Sequence, residues 1–114
     1  MSDGCSDCAK NEAERFRRMQ VLGDISAERE FQLKKWGHQS YPSGTRDTAK
    51  ARELRDRARA LCDRRAELGK VTWADILTEE YSEAMAEVEH EALRKELVQT
   101  AAVIVAWLED LDAE

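Results

Sequence analysis

Two short runs, "EEYSE" (Glu79 to Glu83) and "ELVQ" (Glu96 to Gln99), set acidic and amide side chains three and four residues apart. That spacing brings side chains to one helical face, where carboxylates can close around a cation. Around the first run, "TWADILTEEYSEAMAE" reads as a helix whose apolar stripe is Trp73, Leu77 and Ala84. At about 100° per residue, Glu80 falls inside this stripe, only about 20° from Trp73. Glu83 and Glu87 lie along its edge beside Ile76, and Glu79 points toward the polar flank. In the next helical segment Leu93, Leu97, Ile104, Trp107 and Leu108 define the apolar face, and Glu96 lies within it.

A carboxylate buried alone costs about several kcal/mol and tends to take up a proton. Two neighbouring helices with inward carboxylates can instead share one divalent cation, whose charge offsets repulsion and desolvation. All-oxygen ligation selects a hard ion, so Mg²⁺ or Mn²⁺ is expected. Because Mg²⁺ keeps several waters and commonly meets phosphate oxygens, a nucleotide or similar ester is the natural substrate. The plainer alternative is an acidic helix surface turned to solvent. A di-iron centre would want two Glu-x-x-His units, and only "EVEH", with Glu87 and His90, has that spacing.

Four helical segments must position these groups. The first is expected from about Asn11 to Trp36, with Met19, Leu22, Ile25, Leu33 and Trp36 along its core stripe and Gly23 as a weak point. "GHQSYPSGT" (Gly37 to Thr45) follows as a loop. The second runs from near Asp47 to the stop at Gly69, with Leu54, Ala58, Leu61 and Leu68 inward and a solvated, arginine-rich outer face. Thr72 followed by Asp75 is a capping signal for the third. A break is expected near Glu89 to Glu91, then a fourth helix from about Ala92 to Leu111. Between Leu97 and Leu108 this last helix is apolar nearly all round, which predicts burial on several sides and contact with another subunit.

The chain has 114 residues, of which 37% are charged, with one proline and five glycines. Ordinary domains are about 25% charged, so the composition predicts an all-α fold: a flexible tail over residues 1–10 and one helical domain over 11–114. A net charge of −6 opposes a general nucleic-acid coat. No apolar run is long enough to span a bilayer, and the polar N-terminus reads as no secretory signal, so cytoplasmic residence is expected. Cys5 and Cys8 form a lone "CSDC" without two further ligands at zinc spacing, and Cys62 reads as a small core residue.

Taken together, "EEYSE" and "ELVQ" resemble the EExxE…ExxD signature of the all-α nucleoside triphosphate pyrophosphohydrolases, the MazG-like superfamily. "EREFQLKKWGHQSYPSGT" (Glu28 to Thr45) and "LRKELVQTAAVIVAWLEDLD" (Leu93 to Asp112) look like its small stand-alone actinobacterial and phage members. The likeness runs over roughly Ile25 to Asp112. It implies a four-helix bundle that forms a homodimer or homotetramer, binds Mg²⁺ and converts a nucleoside triphosphate to the monophosphate and pyrophosphate. Carried over by position, Glu80, Glu83 and Glu96 are metal ligands, joined by Gln99, and Glu79 and Glu83 are the catalytic carboxylates. Gln99 stands where the signature has Asp; its carbonyl can ligate but brings no charge. The expected substrate contacts are Arg29, Gln32, Lys35, Trp36, Gln39 and Lys95, with Arg29 on the inward stripe of the first helix. A binder that has lost turnover and a plain helical interaction module, its inward Glu residues neutralised by Arg29 and Lys95, are the alternatives.

Overall fold

A computed structural model describes the backbone of residues 2–114 and the side chains from Asp7 onward. Four helices account for the secondary structure of the described residues: α1 (Ser2–Trp36), α2 (Ala49–Glu67), α3 (Trp73–Met85) and α4 (His90–Asp112). The fold is all-α, and no helix among the described residues is long and apolar enough to cross a membrane. By packing, the chain forms two compact units: residues 1–41 with 108–114, and residues 42–107.

In the first unit, α1 begins at Ser2 rather than near Asn11, so the expected tail is helical. The physical reason is a run of good helix formers from Ala9 to Arg18 with no glycine or proline, which propagates a helix once begun. Gly23 does not interrupt it. Gly37 does end it: at φ +71° it adopts the left-handed conformation and donates to Leu33 O at 2.8 Å. The predicted stripe of Met19, Leu22, Ile25, Leu33 and Trp36 is exposed, and Val21 is the buried residue of α1. Within the same unit Arg18 pairs with Glu109 at 3.3 Å. Cys8 is exposed, while the Cys5 side chain lies outside the described residues.

The second unit is built on the packing of α2 against α3. Thr48 caps α2 by accepting from the Ala51 N–H at 3.1 Å, and Gly69, at φ +69°, follows its end. The α3 capping box is complete: Thr72 Oγ1 accepts from the Asp75 N–H, and Asp75 Oδ2 accepts from the Thr72 N–H, both at 3.1 Å. Arg46 N–H donates to Met85 O at 3.0 Å, tying the entry of α2 to the exit of α3.

Two expectations change here. Leu54 and Leu61 are 51% and 47% exposed, and Leu68 is exposed too; the inward line of α2 is Ala51, Arg55, Ala58 and Cys62. Small residues let two helices approach closely, and an aliphatic stripe shows only that some surface should cover it, not which one. The break between the last two helices comes earlier than expected, after Met85, so Glu87 belongs to the link and α4 starts at His90. Glu89 permits that start: its carboxylate accepts from Glu91 N at 3.2 Å and Ala92 N at 2.8 Å, satisfying backbone donors that helix ends leave open. Along α4, Leu93 is buried and Leu97, Val98 and Ile104 are exposed, whereas Val103 and the run from Val105 to Leu108 are half-buried, so the expected burial on several sides is met only in the C-terminal part of that stretch.

Candidate metal centre

The site forms where the third and fourth helices present carboxylates to each other. Glu80 and Glu83 come from α3 and Glu96 from α4, and one oxygen of each lies within 4.8 Å of the others. All three side chains are half-buried. Fully buried Ala84 lies beside Glu80 and Glu83 on α3, and buried Leu93 lies one turn before Glu96 on α4. Trp73, Leu77 and Ala84 define the face as expected, and Glu80 does sit within it.

The electrostatics are unbalanced. Glu80 Oε2 and Glu96 Oε2 are shielded from solvent and have no hydrogen-bond partner. Burial raises the Glu80 carboxyl above its ordinary range, and the neighbouring charges of Glu83, Glu96 and Glu79 raise it further. Glu96 is raised by burial first, then by the charge of Glu83 and a hydrogen bond shared with it; Lys95 offsets only part of this. Burial and mutual repulsion thus leave Glu80 and Glu96 short of positive charge, a deficit that a cation would offset.

A second row of acids runs down α3 toward α2. Asp75, Glu79 and Glu83 follow at four-residue steps and meet Arg65, Cys62 and Arg59 in antiparallel order. Arg65 Nη1 donates to Asp75 Oδ1 at 2.8 Å, and Arg59 Nη2 donates to Glu83 Oε1 at 3.1 Å. Between them the buried Cys62 thiol bonds Glu79; burial, that bond and nearby carboxylates push the thiol up to about 11. Cys62 is therefore a protonated core residue, as the sequence reading has it. Glu79, expected on the polar flank, is half-buried, because that flank is the one α2 covers. Glu83 belongs to both rows. Its side chain is 19% exposed and lies between Glu96 on one side and Arg59 on the other.

Arg59 is the residue beside the cluster that sequence reasoning passes over. In an arginine-rich helix with interspersed acids it reads as part of a solvated face, yet it is the cation that reaches the cluster. The one available signal is its place one turn before Cys62, close to the line of Ala51, Arg55, Ala58 and Cys62. Arg29, expected inward, is exposed and donates to Gln32 at 2.7 Å, because α1's stripe is uncovered in the chain. Lys35 stacks over the Trp36 ring at 4.8 Å, and Trp36 is 59% exposed, so it is not a core residue of this chain. Gln39 donates to Tyr41 Oη at 2.9 Å. These residues belong to the first compact unit. In the second, Lys95 and Gln99 are exposed and line a depression on α4 with Glu91, Arg94 and Val98. Gln99 therefore stands about 60° round the helix from Glu96.

No family model matches the chain, and no curated protein or solved structure matches it. The site's chemistry accordingly rests on its own geometry. Three oxygens on one octahedral Mg²⁺ ion stand about 3.0 Å apart as neighbours, with at most one opposite pair at about 4.2 Å, so carboxylates gathered within 4.8 Å would have to draw inward to close on one ion. The donor set is all oxygen and carries enough negative charge for a divalent cation. It fits Mg²⁺ or Mn²⁺, and lacks the sulfur and imidazole ligands that zinc or copper would select.

Proposed function

We propose that this chain is a Mg²⁺- or Mn²⁺-dependent nucleotide pyrophosphohydrolase that converts a nucleoside triphosphate to the monophosphate and pyrophosphate. The observation carrying the reading is the pair of buried, unpartnered oxygens, Glu80 Oε2 and Glu96 Oε2, in one cluster with Glu83. These three residues would hold the ion, and the "EEYSE" and "ELVQ" signature supplies the reaction class. A bound divalent ion contributes charge neutralisation at phosphate oxygens and a more acidic water.

The chain's own residues supply the rest. Glu79, oriented by the Cys62 thiol, accepts a proton from a water whose oxygen bonds to phosphorus as the phosphoanhydride P–O bond breaks and pyrophosphate leaves. Lys95, exposed beside Glu96, offers a charged donor to the phosphates. The roles of Arg29, Gln32, Lys35, Trp36 and Gln39 as nucleotide contacts rest on the resemblance alone. The exposed apolar faces of α1, α2 and α4 support a homodimer or homotetramer of the four-helix bundle type, since contiguous exposed apolar surface marks interaction sites.

Incubation with Mg²⁺ and a panel of nucleoside triphosphates, read by pyrophosphate release and by melting temperature, tests the reading. The expected result is metal-dependent release, lost in Glu80→Gln and Glu96→Gln. A second reading, a nucleotide binder with weakened turnover, is favoured by neutral Gln99, whose side chain is exposed where Glu96 is half-buried. It predicts stabilisation by Mg²⁺ and nucleotide without product, and a gain of turnover in Gln99→Asp. A chain whose melting temperature responds to neither metal nor nucleotide would be neither enzyme nor binder.

A further inference from the structure

Arg59 meets the carboxylate cluster from outside it. Its guanidinium uses Nη2 on Glu83 Oε1 at 3.1 Å, while the side chain remains 49% exposed. Asp56 and Glu79 add their charges around it, and Glu83 contributes most. Glu83 in turn is one of the three residues whose oxygens gather within 4.8 Å. A guanidinium and a divalent ion are thus alternative partners for the same carboxylate, and the guanidinium sits at the solvent rim.

We infer that Arg59 is the exchangeable cation of this site: it yields Glu83 to a divalent ion and turns its freed guanidinium to a phosphate oxygen of the ligand that the ion carries. The inference rests on the metal-dependent reading above. Chemistry favours the exchange at both ends. Glu83 trades a single hydrogen bond to a half-exposed guanidinium, a weak attachment, for a doubly charged ion. Arginine's planar fork suits phosphate better than a lone ammonium does, and two of its nitrogens are not engaged with Glu83. Lys95, on the other helix, acts by its charge on Glu96, whereas Arg59 is the cation bonded to Glu83.

The sign of the effect separates exchange from simple support. Removing a positive charge beside the cluster should tighten binding of the bare ion, whereas removing a phosphate donor should loosen binding of the ion with phosphate attached. Mn²⁺ binding is measured by electron paramagnetic resonance and calorimetry on the wild type, Arg59→Gln and Arg59→Lys, first alone and then with inorganic tripolyphosphate. Arg59→Gln should bind Mn²⁺ alone about three- to tenfold tighter and the Mn²⁺–tripolyphosphate complex about tenfold weaker. Arg59→Lys should stay near the wild type for the bare ion and recover part of the second loss. Arg59→Gln that binds the bare ion equally or more weakly, while the wild type binds it, overturns the exchange and leaves the metal site standing. A wild type that binds no Mn²⁺ overturns both.

Discussion

Asp75 and Glu80 lie five residues apart on α3 and are held in opposite ways. Burial would raise Asp75, but the Thr72 hydroxyl and the Arg65 guanidinium outweigh it and bring the carboxyl below its ordinary range. Glu89, at the start of α4, is likewise lowered by two backbone N–H groups. Glu80 has burial and three neighbouring carboxylates acting on it, all in the upward direction, and an oxygen with no partner. The difference teaches how to sort the acids of a highly charged helical protein. Those completed by the chain's own donors build helix ends. Those left incomplete among like charges carry unrelieved repulsion, which a cation from outside would offset.

The sharpest way to break this contrast is to remove the incomplete pair. Glu80→Gln combined with Glu96→Gln should weaken Mn²⁺ binding by roughly a hundredfold or more, beyond what loss of supporting partners alone does. The same double variant should melt higher than the metal-free wild type, because it removes buried like charges. If it binds Mn²⁺ as well as the wild type in calorimetry, the cluster is not a metal site.

Acidity should then move the two groups in opposite directions. Glu80 and Glu96 have raised folded-state values, so their stabilising contribution is present at low pH and is lost as pH climbs through them, above the ordinary 4.5. Asp75 is lowered from 3.8, so its contribution is present above that value and is lost as pH falls through its lowered one. The metal-free chain should therefore melt higher at pH 5 than at pH 7, then lose stability below about pH 3.8. Mn²⁺ affinity should fall on acidification from neutrality, as protons compete for the same oxygens. Melting curves across pH, with and without Mn²⁺, check both slopes.

The smallest effect concerns the completed acids. Thr72→Ala removes the hydroxyl that accepts from Asp75 N–H and should cost about 1 kcal/mol, with Mn²⁺ affinity unchanged. Urea unfolding monitored by circular dichroism measures the first and calorimetry the second. A cap variant that disturbed metal binding would show that the two sets of carboxylates are coupled rather than separate.

Local signals in the sequence carried far. Thr72 and Asp75 announced the start of α3, Gly69 the stop after α2, and the helical wheel put Glu80 and Glu96 on apolar faces. These features depend on hydrogen bonds and spacing within a few residues, so they can be read from one strand of text. The failures were of another kind. The α2 stripe of Leu54, Leu61 and Leu68 is exposed, Arg29 faces solvent, and Arg59 rather than Arg29 pairs with an inward Glu, Glu83. A periodic pattern records that a face is apolar or charged. It carries no information about which surface arrives to cover it.

By itself, then, the sequence determined an all-α chain, four helices with the cap of α3 and the stop of α2, and the positions on them where carboxylates oppose apolar burial. Only the tertiary structure decided that α2 packs the line of Ala51, Arg55, Ala58 and Cys62 against α3, setting Arg65, Cys62 and Arg59 opposite Asp75, Glu79 and Glu83. It likewise decided that Glu96 comes within reach of Glu80 and Glu83. The reason is physical: caps and helical faces follow from bonding along one backbone, whereas the choice of neighbour depends on close packing between residues distant in the chain.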